Sequence, residues 1–375
     1  MRPVYIPSTT GYGSIDWFNG GELTNKGWEL NISGRDFVTI AKKLKISASF
    51  NIAQNVNNIE QMDERSLRAS NSTWASVKNP NGATKYSNLI QVNNPLGAIY
   101  GYKFDGVYQY SYAYMENYRK DQEEKYAKAG QEYTTEMYQA WINSQLASGA
   151  TFPVAVDANG HVVMNNDGSP QRMVYNYGDT PTGNFDGGDA IFRDINHDGQ
   201  INALDIIYLG SSLPKFNGGF SITLKYGNWK LTSRFNFRYG NKIANTARAS
   251  LESMYGVYNQ AATVNYRWRK DGDKTAIPRA LHGVGWNYMG SSKYVEDGSF
   301  LRWQNLQLSY TFPKKQIKKL GVGSLSLYFS MNNLVCWTKY SGVDPEISSS
   351  GWGVAADGGK TPRSKQFTAS MNIGF

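Results

Sequence analysis

Seven stretches of this chain alternate apolar and polar residues with a period of two, and that pattern limits the fold more than any other feature. Trp28, Leu30 and Ile32 alternate with Glu29, Asn31 and Ser33. Leu44, Ile46, Ala48, Phe50 and Ile52 alternate with Lys45, Ser47, Ser49 and Asn51. Phe220, Ile222, Leu224 and Tyr226 form a third series. Trp229, Leu231, Phe235, Phe237 and Tyr239 form a fourth, set against Lys230, Thr232, Arg234, Asn236 and Arg238. Leu306–Phe312, Leu325–Met331 and Phe367–Phe375 complete the set. Successive side chains of a strand point to opposite faces, so each stretch specifies a strand with one apolar and one polar face. A soluble sandwich would show the same alternation. Two features favour a barrel wall. The stretches run roughly 10 to 12 residues, enough to cross a bilayer with tilt. Their polar faces also carry full charges, as a wet lumen allows.

The links between stretches alternate too. Gly34 to Leu44, Tyr226 to Trp229 and Phe312 to Gly323 are short; Asn55 to Gly218, Gly240 to Gly298 and Leu334 to Arg363 are long. Outer-membrane barrels have short periplasmic turns and longer extracellular loops. The expectation is therefore all-β: a partial transmembrane antiparallel β-barrel over 1–375, with residues 56–217 as the largest extracellular excursion. Within it Tyr114–Gln145, rich in Glu, Lys, Gln and Ala, predicts one or two solvated helices, and Pro95–Gly106 a strand and turn. Single-chain bacterial barrels close with an even strand number, and lipid does not tolerate open edges. Seven strands thus predict further strands upstream; the alternative is one more strand within this chain that the alternation does not show.

Composition agrees. The chain holds 26 Tyr, 16 Phe, 10 Trp and 38 Gly, the mix expected of many strands and turns meeting a membrane–water interface. The net charge of +9 comes without a Lys/Arg-rich block, so no nucleic-acid partner is expected. A single cysteine, Cys336, rules out an intrachain disulfide and a multi-thiolate zinc site. His161, His197 and His282 lie far apart, and no nucleophile-elbow, phosphate-loop, dinucleotide or zinc-protease motif occurs, which points away from an enzyme. Met1–Tyr5 lacks the apolar core of a signal peptide, and no apolar run is long enough for a spanning helix.

One motif carries chemistry. Asp194-Ile195-Asn196-His197-Asp198-Gly199-Gln200-Ile201-Asn202-Ala203-Leu204-Asp205 follows the calcium-loop pattern. Oxygen donors stand at Asp194, Asn196 and Asp198, Gly199 takes the sharp turn, and Gln200 offers its carbonyl. Asp205 replaces the usual final Glu and reaches less far. The candidate ligands are Asp194, Asn196, Asp198, Gln200 and Asp205, with Ca²⁺ as a structural ion; His197 falls between ligand positions. The plainer reading is a set of Asx-turns without metal.

Seven short stretches resemble the SusC/RagA family of TonB-dependent outer-membrane transporters, in family order. They are Asn25–Glu29, Gly101–Val107, Phe192–Gly199, Pro214–Phe216, Arg238–Asn241, Glu296–Arg302 and Tyr340–Glu346, followed by a terminal strand ending in Phe375. The resemblance implies a 22-stranded barrel of which this chain supplies C-terminal strands. It also implies a bacterial outer-membrane location and TonB-dependent import of oligosaccharides or peptides. A SusD-like surface lipoprotein, the TonB complex (through an N-terminal part) and the barrel-assembly machinery are the implied partners, with Phe375 as assembly signal and outer-membrane lipid around the wall. The chain departs from the family pattern in showing no signal peptide, plug or TonB-contacting segment.

A soluble, calcium-stiffened β-rich binding or adhesion module is the alternative. It would bury the apolar faces in one core. Trp28, Trp229 and Tyr239 are read as girdle aromatics. Trp286, Tyr288, Trp337 and Trp352 are placed in extracellular loops, where packing explains them as well as substrate contact. Lys42, Lys43, Lys314, Lys315, Lys318 and Lys319 fall in periplasmic turns, with a solvated face as the default and phosphate headgroup contact as a lesser reading.

Overall fold

The computed structural model describes residues 2–4, 9, 16–18, 21–40, 43–63, 91–176, 183–347 and 353–375. Seven long strands form one antiparallel sheet in chain order: β1 (Gly21–Ile40), β2 (Leu44–Met62), β3 (Phe216–Tyr226), β4 (Trp229–Tyr239), β5 (Phe300–Thr311), β6 (Ser324–Thr338) and β7 (Gln366–Gly374). Each strand pairs only with its sequence neighbours. The sheet does not close on itself. This antiparallel meander puts the links at 41–43, 227–228 and 312–323 at one end and the three long connections at the other, as the alternation of link lengths predicts.

The register aligns the alternation of all seven strands. Ile32, Phe50, Phe220, Phe235 and Trp303 share one row. Leu224 lies between Ile46 and Leu231, and Leu308 between Leu231 and Phe329. On the opposite face Ser33, Ser49, Ser221, Arg234, Asn305 and Asn332 form a row, and Asn31, Asn51, Gly219, Asn236 and Arg302 the next. A bulge at Gln304 shifts the ladder. It keeps both Leu301-Trp303 and Leu306-Leu308 on the apolar face although their parities differ, because one extra residue reverses the alternation.

β1 and β2 span 20 and 19 residues, well beyond the alternating stretches. Their outer ends read as loop because Asn55, Asn57 and Asn58 are polar, but a backbone ladder needs no apolar side chains. The Asn57 Oδ1 accepts from Leu96 N at 2.6 Å, and Ile59 exchanges backbone bonds with Asn93 and Asn94. The regular ladder accordingly runs on into the 56–217 stretch as far as Met62.

The chain's core lies outside the sheet. Among the described residues, the largest fully buried side chains, including Tyr102, Tyr138, Tyr175, Tyr294, Phe185 and Met289, all sit in connections. The main cluster joins Tyr102, Tyr175, Phe185, Phe192 and Met289 across two of the long loops. Two helices, α1 (Tyr112–Lys128) and α2 (Thr135–Ala147), start on the caps Ser111 and Thr134, whose hydroxyls accept from Tyr114 and Met137. They are not merely solvated. Met115, Tyr138 and Ile142 are buried with Phe152, Val154 and Val162, and Tyr118 stacks on Trp141 at 3.7 Å. A few aromatics in a charge-rich sequence suffice for a small core, and composition alone conceals it. The strand-turn expected at 95–106 is Ala98–Tyr102, buried throughout, followed by Phe104–Val107.

Candidate functional site

The functional surfaces are the two faces of the sheet and the loop assembly standing on its long-connection end. On the apolar face large side chains stay exposed: Ile32 at 59 %, Phe367 at 64 % and Met371 at 60 %. Aromatic rows bound this face. At the loop end Trp28 approaches Phe216 at 6.3 Å and Phe216 approaches Tyr239 at 6.5 Å. At the turn end Trp229 meets Tyr310 at 4.7 Å, and Tyr310 meets Phe312 at 4.9 Å. From the Phe216 row to the Tyr226 row is about 34 Å along a strand at ~3.4 Å per residue, or about 24 Å of height at a tilt of ~45°. Such a band matches the apolar height of an outer-membrane barrel.

The polar face bears Ser, Asn, Thr and Gln with a few charges. Asp36 folds back onto it near the turn end, accepting from the Ser47 hydroxyl and lying 3.7 Å from Lys45 and 3.9 Å from Lys225. Arg234 is exposed in mid-face.

The seven family-like stretches, scattered in sequence, meet in space. Arg302, 6 % exposed, reaches Asp344 at 2.6 Å and Glu346 at 3.2 Å, and Arg363 closes on Glu346 at 2.8 Å. Phe300 lies between Arg238 and Arg302, whose guanidinium carbons stand 5.8 and 5.7 Å from its ring. Arg238 also donates to the Ile347 carbonyl, while Ser341 donates twice to Glu296. Burial works to raise the Glu296 carboxyl, but Ser341, Arg248 and Asn245 hold it below its ordinary value. Arg238–Asn241, Glu296–Arg302 and Tyr340–Glu346 thus form one latch that fastens the last long loop to the wall. A second group joins Gly101–Val107 to Phe192–Gly199: Phe104 pairs with Phe192, Tyr102 packs on Phe192 at 5.5 Å, and Arg193 grips Asp105 through two bonds. A third joins Trp28 to Phe216, and Lys215 N to the Tyr239 carbonyl.

Sequence reasoning missed these ion pairs, as well as the Arg279 fork on buried Asp189 and the Lys293–Glu252 contact at 3.3 Å. Burial pushes the Asp189 carboxyl up and the Lys293 ammonium down. No periodicity links partners so far apart in the chain; charged residues recurring inside the family-like stretches were the available signal.

The Asp194–Asp205 loop folds around its own amides. Asp194 accepts from Gly199 N at 2.7 Å, Asp198 from Gln200 N at 2.8 Å, and Asn196 Nδ2 donates to Asp198. The Asp205 carboxylate is fully buried and accepts from Ile195 N and Asn202 N, each at 2.8 Å. Burial first, and then the Asp194 and Asp198 carboxylates, push its pKa up to about 6. The donor types suit a hard cation. The fit is partial, since among the described residues no three His, Cys, Asp or Glu side chains converge as a metal-binding group. Gly199 turns at φ 79°, and His197, exposed at φ 58°, lies 3.1 Å from the Val156 carbonyl through Nδ1.

Trp286 stacks on Tyr175 at 4.7 Å, and Tyr288 is buried with its hydroxyl accepting from Met254 N. Both are packing residues. Trp337 is not in a loop: β6 continues to Thr338 and sets Trp337 against Leu301 on the apolar face, 49 % exposed. The ladder persists because Arg302 and Cys336 pair across it despite their polarity. Trp352 and Lys42 lie outside the described residues. Lys43, Lys314, Lys315, Lys318 and Lys319 are exposed at the turn end. Phe375 is 98 % exposed beyond β7 at the same end.

Comparison with known proteins agrees with this geometry. No family model matches the sequence. The TonB-dependent receptors P3 and P39 of Formosa agariphila are 24 % and 27 % identical to it over 100 % and 99 % of the chain. SusC of Bacteroides thetaiotaomicron, also a TonB-dependent receptor, is 27 % identical over 54 % of the chain. Along its whole length the chain is similar to TonB-dependent receptors of the SusC/RagA type. It spans 31 % and 32 % of the length of the two Formosa receptors. Among solved structures, that of the RagAB peptide transporter superposes with a TM-score of 0.61 at 20 % identity, covering 99 % of this chain and 31 % of that one. The receptor fold therefore accounts for the open sheet: these seven strands are an arc of a larger barrel wall.

Proposed function

We propose that this chain builds part of the wall and three external loops of a bacterial outer-membrane transporter importing oligosaccharides or peptides. Energy would come from TonB through another part of the receptor, and a SusD-like surface lipoprotein would cover the loop end. The observation that carries the reading is the sheet itself. Its apolar face is exposed, bounded by aromatic rows about 24 Å apart, and backed by a polar face, as a wall between lipid and a wet lumen requires. A soluble calcium-stiffened module would have buried that face. The named relatives support the transporter reading: a peptide transporter and SusC are among them. The exposed Phe375 at the turn end suits a signal for barrel assembly.

Cysteine labelling in intact cells tests the topology. In a receptor with Cys336→Ser, a cysteine at Val257, 87 % exposed in the second long loop, reacts with a membrane-impermeant maleimide. One at Lys318 reacts only after the outer membrane is opened. Equal labelling of both overturns the reading.

Calcium belongs to the same proposal. Asp194, Asn196, Asp198 and the Gln200 carbonyl are the candidate donors, with Asp205 bracing the loop from behind. A bound ion would offset the charge of the Asp194 and Asp198 carboxylates and stiffen the loop. Calcium should slow proteolysis at residues 194–205 relative to chelator; equal rates remove calcium from the account.

A further inference from the structure

We propose that the turn end of the sheet is a phospholipid-binding collar, in which lysines of the β5–β6 link hold the phosphates of anionic lipid headgroups. The inference rests on the barrel reading and goes beyond it. The link folds as a short helix, Lys314–Ile317, continued by a 3-10 turn, Lys318–Leu320. Ile317 is 2 % exposed and anchors the segment. At about 100° per residue in the helix and about 120° in the 3-10 turn, Lys314, Lys318, Lys315 and Lys319 spread over about 180° of the side away from Ile317. All four are exposed, as is Lys43 in the β1–β2 turn, which lies along the same edge beyond the β3–β4 turn.

No Asp or Glu occurs in any of the three turn-end links, 41–43, 227–228 and 312–323. The nearest described carboxylate in the adjoining strands, Asp36, is turned to the polar face and engaged by Ser47, Lys45 and Lys225. The long-connection end is mixed in sign: Asp344, Glu346 and Asp357 accompany Lys360, Arg363 and Lys365. Apart from the carboxylate of Phe375, which lies beside Gly323, the charged groups of these links are all lysines, at one edge of the apolar band.

That edge identifies the occupant. Phe312 precedes the lysines directly and packs on Tyr310, which packs on Trp229 in the turn-end aromatic row. Leu320 ends the segment 65 % exposed. Aromatic rings of this kind sit at headgroup level, and lysine stems lie along apolar surface while the ammonium stays in water. Cations just outside the aromatic row therefore stand at the depth of the lipid phosphates. Anionic headgroups complement them in charge, and the acyl chains of the same lipids continue onto the apolar face. Attraction of basic segments to anionic leaflets acts within a Debye length, about 10 Å at 0.1 M salt, so the contact is salt-sensitive.

The test uses the whole receptor that contains this chain, in nanodiscs of phosphatidylcholine alone or with one-third phosphatidylglycerol. Amide hydrogen exchange is followed across 313–323. Phosphatidylglycerol should slow exchange there at least threefold at low salt. The effect should vanish at about 1 M salt, where the Debye length is ~3 Å, and in a variant with Lys314, Lys315, Lys318 and Lys319 all changed to Gln. Equal exchange in both lipids overturns the proposal. So does equal protection by free inorganic phosphate in phosphatidylcholine discs, which assigns the site to the ion alone. Heat-modifiable migration of the same samples reports the barrel. A receptor that keeps it while failing the lipid comparison refutes the collar alone; one that never acquires it refutes the barrel reading.

Discussion

Arg302 shows how one side chain ties the wall to the loops. It is nearly buried between Asp344 and Glu346. Removing one partner of a buried ion pair leaves uncompensated charge and costs ~3–5 kcal/mol. Arg302→Ala should therefore release residues 339–347 to proteolysis while the strands remain folded, and limited proteolysis with mass spectrometry of the fragments checks this. Arg302→Lys should restore little, because a single ammonium cannot reproduce the fork that reaches two carboxylates. Asp205 makes a prediction in pH. Its folded pKa, about 6, exceeds the ordinary value of about 3.9. The protonated form is thus favoured on folding, and loop stability falls as pH rises from about 4 to 6. Without calcium, opening of 194–205 should be greater at pH 7.5 than at pH 4.5 once intrinsic exchange is corrected. Asp205→Asn should flatten that dependence. It should also strand one of the two amides the carboxylate now receives, at ~1–3 kcal/mol.

At the scale of elements, the α1–α2 hairpin is a unit with its own core, separate from the cluster that joins Tyr102 to Phe192. Tyr138 is fully buried, within 6.0 Å of Trp141. Tyr138→Ala removes a large ring from a small core, at ~3–5 kcal/mol. It should raise amide exchange across 112–147 without altering exchange in β3 or β4. Propagation of the change into the sheet would show that hairpin and wall are one cooperative unit. The long first hairpin, β1 with β2, carries its ladder beyond the Trp28 row. There Asn57 and Ile59 hold the return segment 93–96, so the wall itself supports the largest loop.

For the whole molecule, the two faces of the sheet predict opposite tolerances at one height. Ile222 and Ser221 are neighbours on β3, the first on the apolar face and 41 % exposed, the second on the polar face. Ile222→Arg puts a cation on the lipid side near mid-band, at ~2–4 kcal/mol. It should lower the heat-modifiable fraction in outer membranes several-fold. Ser221→Arg faces the lumen, next to Arg234 in its row, and should leave that fraction unchanged. Equal damage from both would mean that the faces are wrongly assigned.

Sequence by itself determined the seven strands, their apolar and polar faces, the order of short and long links, and the positions of the family-like stretches. Alternation with period two is a local property, readable wherever one face is apolar. It could not show where β1, β2 and β6 end, because a ladder of backbone hydrogen bonds continues through polar residues such as Asn55 and Cys336. Nor could it reveal the helical hairpin's core, whose aromatics are sparse, or the latch. Arg302 meets Asp344 and Glu346 only because β5 and β6 pair and the following loop folds back over the polar face. Where the Asp205 carboxylate sits in the Asp194–Asp205 loop was likewise open in the sequence. The tertiary structure buries Asp205 beneath that loop, and its carboxylate holds the loop's amides. Pairing along a strand is dictated by neighbours in sequence, whereas burial and ion pairing depend on which distant segments the fold brings together.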